Sequence, residues 1–143
     1  MSGPRVYDTY RGAVYPWMID HVGHMNVQFY TARFDEATWH LFAVFGITGR
    51  YMREQGRGMA AVEQHTRYLR ELHAGALIRV ESELREAKPK AVRFLHRMLD
   101  AETGEAVAES ELTGVHIDAA ARRAVPFPEE IQARLREGLG LEA

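Results

Sequence analysis

Asn26-Val-Gln-Phe-Tyr30-Thr-Ala-Arg-Phe34-Asp-Glu-Ala37-Thr-Trp-His-Leu41-Phe-Ala-Val-Phe45-Gly46-Ile47 is the stretch whose reading decides the fold. Tyr30, Phe34, Ala37, Leu41 and Phe45 recur at spacings of four, three, four and four, the period of one face of an α-helix. Asn26 stands where a side-chain oxygen can accept from the first free N–H groups, so the pattern predicts a helix over 26–47. Gly46 and Gly49 then loosen it. Trp39, Phe42, Ala43, Val44 and Ile47 widen the apolar stripe, so the second half of the helix is expected to be buried on more than one face.

Upstream, residues 5–15 mix Val6, Tyr7, Tyr10, Val14 and Tyr15 with polar residues and read as a strand ending at Pro16, which lacks the donor a ladder requires. A loop from Trp17 to Asn26 joins it to the helix. Downstream of Gly56 and Gly58, segments at about 59–72, 76–87 and 90–100 have strand character. In the second, Ile78, Val80, Ser82 and Leu84 alternate with Arg79, Glu81, Glu83 and Arg85, giving one packed face and one wet or partner-facing face. Glu102-Thr-Gly104-Glu105 is a hairpin signal, with Gly104 supplying a positive φ. A last strand at about 106–118 alternates less well, and its Glu109, Glu111 and Gly114 predict an exposed or pocket-lining face. Beyond Pro126 and Pro128, Ile131, Leu135 and Leu139 recur every four residues in a short helix closed near Gly138 or Gly140.

Strand, long helix, four strands, small helix is a two-layer α+β order: a five-stranded antiparallel sheet whose apolar face curls around one long central helix. Exposed strand edges and leftover apolar surface predict a symmetric dimer; a monomer with charged edges is the alternative. The 143 residues, with no composition shift, linker or repeat, make one domain's worth of chain over 1–143.

Composition narrows the chemistry. With no Cys, a disulfide scaffold, a thiol nucleophile and a thiolate zinc site are excluded, and a reducing, cytoplasmic setting is expected. The formal net charge of -2 provides no global positive field for nucleic acid, and no stretch has the uninterrupted apolar length needed to span a bilayer, so neither partner is expected. No Gly-rich phosphate loop occurs.

The densest collection of chemistry-bearing residues is Asp20-His21-Val-Gly23-His24-Met25-Asn26, between the first strand and the helix. A carboxylate, two imidazoles and an amide beside the free N–H groups of a helix start suit acyl chemistry, where a developing oxyanion needs donors. The same residues serve equally as a turn cap at Asp20, strain relief at Gly23 and an ordinary N-cap at Asn26. His21-x-x-His24 lacks a well-spaced third ligand, and no metal is expected.

Asp20-x-x-Gly23-His24-Met25-Asn26-x-x-x-Tyr30, followed by Phe34-Asp35-Glu36-Ala37, resembles the hotdog-fold acyl-CoA thioesterases of the 4-hydroxybenzoyl-CoA thioesterase-like superfamily. The likeness runs over about residues 8–128, through His65-Thr-Arg-Tyr-Leu-Arg-Glu-Leu-His-Ala-Gly75 and the late hairpin Thr103-Gly-Glu-Ala-Val-Ala108. It implies hydrolysis of an acyl-CoA thioester without a cofactor, in a homodimer whose active site lies at the subunit interface, with a dimer of dimers if the outer sheet face also pairs. Asp20 is then the leading catalytic residue, as general base on water or as nucleophile on the thioester carbonyl. The Gly23 backbone N–H, with that of His24, is the candidate oxyanion holder, while His24 and Asn26 orient water or substrate. Asp35 lies where many relatives carry an acidic residue on the helix; facing Asp20 across a dimer, it or Glu36 would divide base and acid roles by like-charge repulsion. Many bacterial relatives follow the aspartate with Gly-Val-Val-Tyr-His, so the role of that histidine does not pass directly to His24.

Coenzyme A can be held by scattered basic residues, and Arg57, Arg67, Lys88, Lys90 and Arg93 near strand ends are candidates, with Lys88 and Lys90 preferred by position in the resemblance. Each reads equally as solvated surface. Trp17, Tyr30, Phe34 and Tyr68 are the candidate acyl-binding residues; converging, they would also cage a quaternary ammonium such as that of a betaine-type acid. Three other functions fit the same residues: a noncatalytic acyl-CoA binding module, a CoA-thioester dehydratase or hydratase, and a dimeric scaffold in which the polar loop is only caps.

Overall fold

The computed structural model describes residues 3–141, which excludes the first two and last two positions of the expected domain. In chain order the elements are β1 (Tyr7–Ala13), α1 (Val27–Val44), α2 (Gly49–Gln55), β2 (Arg57–Tyr68), β3 (Leu77–Ala87), β4 (Ala91–Asp100), β5 (Ala106–Asp118), β6 (Arg123–Ala124) and α3 (Glu129–Gly138). The long strands order as β1-β3-β4-β5-β2, every pair antiparallel, and the two-residue β6 hangs on β5 as a sixth strand beyond the expected five. The sheet wraps α1 in the expected hotdog arrangement.

Asn26 caps α1 as its position predicts, its Oδ1 accepting from the Gln28 N–H at 3.0 Å. The helical stripe divides between two core clusters. Tyr30, Phe34 and Ala37 pack with Ile78, Val80 and Met98, whereas Leu41, Phe42 and Phe45 pack with Leu84, Phe94 and the α3 residues Ile131 and Leu135. Gly46, at φ 89°, turns the chain out of α1. The unpredicted α2 follows, capped by the Thr48 hydroxyl on the Tyr51 N–H and closed by left-handed Gly56. Tyr51 donates to His116 Nε2 at 2.8 Å while His116 Nδ1–H donates to the Val125 carbonyl at 2.8 Å, pinning α2 to β5 and the α3 connector.

The curl of the sheet has a local cause. Register slips in the β1–β3, β2–β5, β3–β4 and β4–β5 pairings insert Thr9, Val62, Arg85 and Val107 as extra residues, and each such bulge bends its strand. The outer face carries cross-strand ion pairs, including Arg97 with Glu83 at 2.7 Å and Arg93 with Glu111. β1 and β2 are the edges of the sheet; the segment expected to continue β2 to residue 72 leaves the strand after Tyr68, and Leu72 accepts the Met25 N–H at 2.8 Å.

Candidate active site

The loop before α1 is built around Asp20. Asp20 N–H donates to the His24 carbonyl at 3.1 Å, Gly23 N–H donates to the Asp20 carbonyl at 3.0 Å, and Ile19 bridges to Met25. Gly23 adopts φ 88°, a conformation that favours glycine. The turn delivers the Val22 N–H to Asp20 Oδ1 at 2.9 Å, while Asn26 Nδ2 donates to Oδ2 at 2.9 Å. Asn26 therefore caps the helix with one side-chain atom and orients the carboxylate with the other. These two donors, the Asn26 amide foremost, hold the Asp20 carboxyl below the usual aspartate range, with His24 and His21 contributing less. The result is an anionic, solvent-reachable oxygen pair fixed at a helix start.

The Gly23 N–H, expected to hold an oxyanion, is already spent on the Asp20 carbonyl. The N–H groups of His21, His24 and Val27 have no acceptor among the described residues, and those of His24 and Val27 lie next to the helix start. The His24 ring turns toward the loop that follows β2, with Nε2 3.0 Å from Glu71 and His73 edge-on to it.

One concavity borders the loop and a second lies along α1 beyond it. A cavity of about 230 Å³ is lined by His24, Val27, Tyr30, Tyr68 and Glu71 among others, which brings three of the expected site residues together. There Tyr30 meets Tyr68 edge-on at 5.1 Å and donates its hydroxyl to the Arg70 carbonyl at 3.2 Å. A trough of about 370 Å³ runs between α1 and the β2–β5 strands. Gln28, Thr31, Ala32, Asp35, Thr38, Trp39 and Phe42 line it from one face of α1; opposite lie Met59, Gln64, Phe94, Leu112 and Gly114. Asp35 is the one charged residue of this lining, and it has no ion-pair partner among the described residues. A Cβ on Gly114 would lie 3.3 Å from Met59 Cε and 3.5 Å from Phe42 Cζ, so the missing side chain keeps the far end open.

The remaining expected residues are distributed differently. Phe34 is 0% exposed and stacked under His96 in the core, so it is a packing residue and not a substrate contact. Trp17 is 65% exposed, sandwiched between Tyr15 and Phe29 at the surface, and lines neither concavity. Asp35 lies nine residues past Asn26, about 13 Å farther along the helix axis, and the trough it lines does not include Asp20. Arg57, Lys88 and Lys90 gather at the opposite end of the sheet from the Asp20 loop, where Arg57 pairs with Asp118 at 2.8 Å and Lys88 approaches Glu86. Thr38, Trp39, Phe42, Met59 and Gln64 were not anticipated as lining residues; the apolar excess on the second half of α1 and the poor alternation of β5 were the available signals.

The description "thioesterase-like superfamily" belongs to a family model that matches residues 14–135. An L-carnitine dehydrogenase/betainyl-CoA thioesterase of Rhizobium meliloti is 33% identical over 94% of this chain, which spans only 27% of that longer protein. A betainyl-CoA thioesterase of Pseudomonas aeruginosa is 30% identical over 92% of this chain and 82% of its own length. Among solved structures, a hypothetical Staphylococcus aureus protein in complex with CoA superimposes with a TM-score of 0.89, covering 100% of this chain and 89% of that one at 19% identity, a likeness of fold alone.

Proposed function

Since the chain belongs to the thioesterase-like superfamily, whose members act on CoA thioesters, we propose that it hydrolyses an acyl-CoA to the free acid and CoA, the acyl group being a small cation of the betainyl type. The observation that carries the reaction is the Asp20 carboxylate, kept anionic and aimed by two donors at a helix start. As general base it takes a proton from water as the water oxygen bonds to the thioester carbon; the carbonyl oxygen becomes an oxyanion against the His24 and Val27 N–H groups. Collapse then breaks the C–S bond, and the thiolate leaves with that proton. As nucleophile, Asp20 would instead form a mixed anhydride that water cleaves. A single turnover in ¹⁸O-labelled water separates the two: the general-base route puts the label into the free acid, whereas an anhydride cleaved at the Asp20 carbon puts it into Asp20 and releases an unlabelled acid.

The cationic acyl group is supported by the trough, which in a homodimer would serve Asp20 of the partner copy, because within one chain Thr38 and Trp39 lie about 16 Å or more beyond Val27 along α1, farther than a betainyl group spans. The trough walls carry Trp39, Phe42 and Phe94, edge-to-face in sequence, beside the lone carboxylate of Asp35 and with no basic side chain, a lining that favours a quaternary ammonium over an anion. The names of the two curated relatives point the same way.

The proposed assembly is a homodimer. Within one chain the candidate CoA-binding residues Arg57, Lys88 and Lys90 lie at the wrong end of the sheet for Asp20. Antiparallel pairing of two β2 edges about a two-fold axis would set the Arg57 end of one copy against the Tyr68 end of the other. The test is thiol release from acetyl-, medium-chain, benzoyl-, 4-hydroxybenzoyl- and betainyl-CoA, with Asp20→Asn as control. Betainyl-CoA should lead, and its neutral isostere 3,3-dimethylbutyryl-CoA should trail it. No thiol release from any of them would overturn the reaction, and parity between the two isosteres would overturn the cationic substrate.

A further inference from the structure

A row of small polar side chains crosses the inner face of the sheet from edge to edge. Ser82, His96 and Ser110 are direct neighbours on β3, β4 and β5; Thr66 on β2 sits opposite Ser110, and bulged Thr9 on β1 reaches Ser82. At its centre His96 is 0% exposed, flat against Phe34. Both ring nitrogens are bonded, Nδ1 to Ser82 Oγ at 2.6 Å and Nε2 to Thr38 Oγ1 at 2.8 Å, and Ser82 Oγ is 2.7 Å from Thr9 Oγ1. Burial pushes the His96 pKa down to about 3, so the ring is neutral at physiological pH and carries a single N–H.

One N–H and three hydroxyls leave two complete arrangements. In the first, Thr38 donates to Nε2, Nδ1–H donates to Ser82, Ser82 donates to Thr9, and Thr9 ends the chain on the Val80 carbonyl at 3.3 Å. In the second, every bond reverses: Thr9 donates to Ser82, Ser82 to Nδ1, Nε2–H to Thr38, and Thr38 to the Phe34 carbonyl at 3.0 Å. The two differ at the residue that lines the trough. In the first, the Thr38 oxygen has accepted nothing and turns only acceptor capacity outward; in the second, one of its lone pairs is occupied by the ring. Gln64, also in the trough lining, donates to Ser110 at 3.3 Å, so the other half of the polar row reaches the same space.

We propose that Thr38 is a specificity-determining residue of the acyl trough and that His96 is a positioning residue whose tautomer sets the direction of the Thr38 hydroxyl. A cationic acyl group, seated near Asp35, selects the first arrangement because both Thr38 lone pairs are then free for the polarised methyl groups of a quaternary ammonium, whereas the second leaves only one. This rests on the trough being the acyl site. A purely structural His96 would have no reason to answer to the charge of a ligand.

Selective ¹⁵N labelling of histidine reads the tautomer directly, with His96→Asn to assign the signal. Adding glycine betaine with CoA should move Nε2 toward the unprotonated shift, and adding 3,3-dimethylbutyrate with CoA should not. In kinetics, Thr38→Val should lower the ratio of kcat/KM for betainyl-CoA over 3,3-dimethylbutyryl-CoA about five- to tenfold, through KM, while Thr38→Ser preserves it. A His96 signal indifferent to both ligands, or a Thr38→Val variant that slows both thioesters alike, would overturn the proposal. If Thr38→Val does not fold, the ligand-dependent tautomer still decides. Betainyl-CoA turnover with a fixed tautomer and an unchanged ratio defeats this proposal alone; a betaine-responsive tautomer without thiol release defeats only the proposed reaction.

Discussion

Asp20 and His96 each have both side-chain polar atoms hydrogen-bonded, and each has its pKa lowered, but for opposite reasons. At Asp20 the donors favour the charged form in an environment open to water. At His96 the lowering comes from burial, which disfavours the charged form, and every partner is a neutral hydroxyl. The same direction of shift thus makes one group a permanent anion and the other a permanently neutral relay. The comparison separates reactivity from architecture: the wet site holds its charge ready for a substrate, and the dry one tolerates no charge.

The sharpest way to break the comparison is Asp20→Asn, which keeps the shape of the loop and removes the charge. We expect thioester turnover to fall about 10²–10⁴-fold with the melting temperature unchanged, because the lost group is solvated and its neighbours can turn to water. His96→Leu should do the reverse. Leaving Ser82 and Thr38 without their shared partner should cost about 2–4 kcal/mol in urea denaturation. Its pH dependence is equally diagnostic. His96 is depressed when folded, so the unfolded chain binds the extra proton first: wild-type stability is complete above about pH 6.5 and falls by about 1.4 kcal/mol per pH unit as the pH drops toward the folded value. That contribution to the acid slope should vanish in His96→Leu.

The smallest effect sharpens the Asp20 side. Asn26→Ala removes the leading cause of the lowered Asp20 pKa, so the acid limb of kcat/KM should move up toward the ordinary aspartate range. The sign is that of a carboxylate: Asp20 is active above its folded pKa and is lost as the pH falls through it. The accompanying loss of the helix cap should cost about 1 kcal/mol, visible in the melting curve.

How much of this the sequence disclosed follows from the range of the interactions. α1 and its Asn26 cap were legible because a single period holds over eighteen residues and the cap is local. The seven-residue α2 was not: it buries no residue of its own, and its flanking glycines read as loop, although Thr48 and Gly56 are ordinary start and stop signals. Asp20 and Asn26 were legible because both lie in one contiguous motif. The trough was not, because it requires β2 to pair with β5, skipping two intervening strands, before Met59 and Gln64 face α1. Aromatic identity did not distinguish Phe34 from Trp17 for a related reason: a ring announces that it will be used, and its neighbours decide whether in the core, as at Phe34, or at the surface, as at Trp17. The basic residues Arg57, Lys88 and Lys90 looked scattered in the chain and fall at one end of the sheet, the end away from Asp20.

Gly114 gives the trough an adjustable length. Its Cβ-free position faces the mobile methyl end of Met59 rather than backbone, so an alanine there would be accommodated by a small swing of the thioether and would shorten the space left for an acyl chain. Every glycine codon is one base away from an alanine codon. With the trough as the proposed acyl site, a single mutational step would narrow the substrate range without touching Asp20, Asn26 or the hydroxyl row.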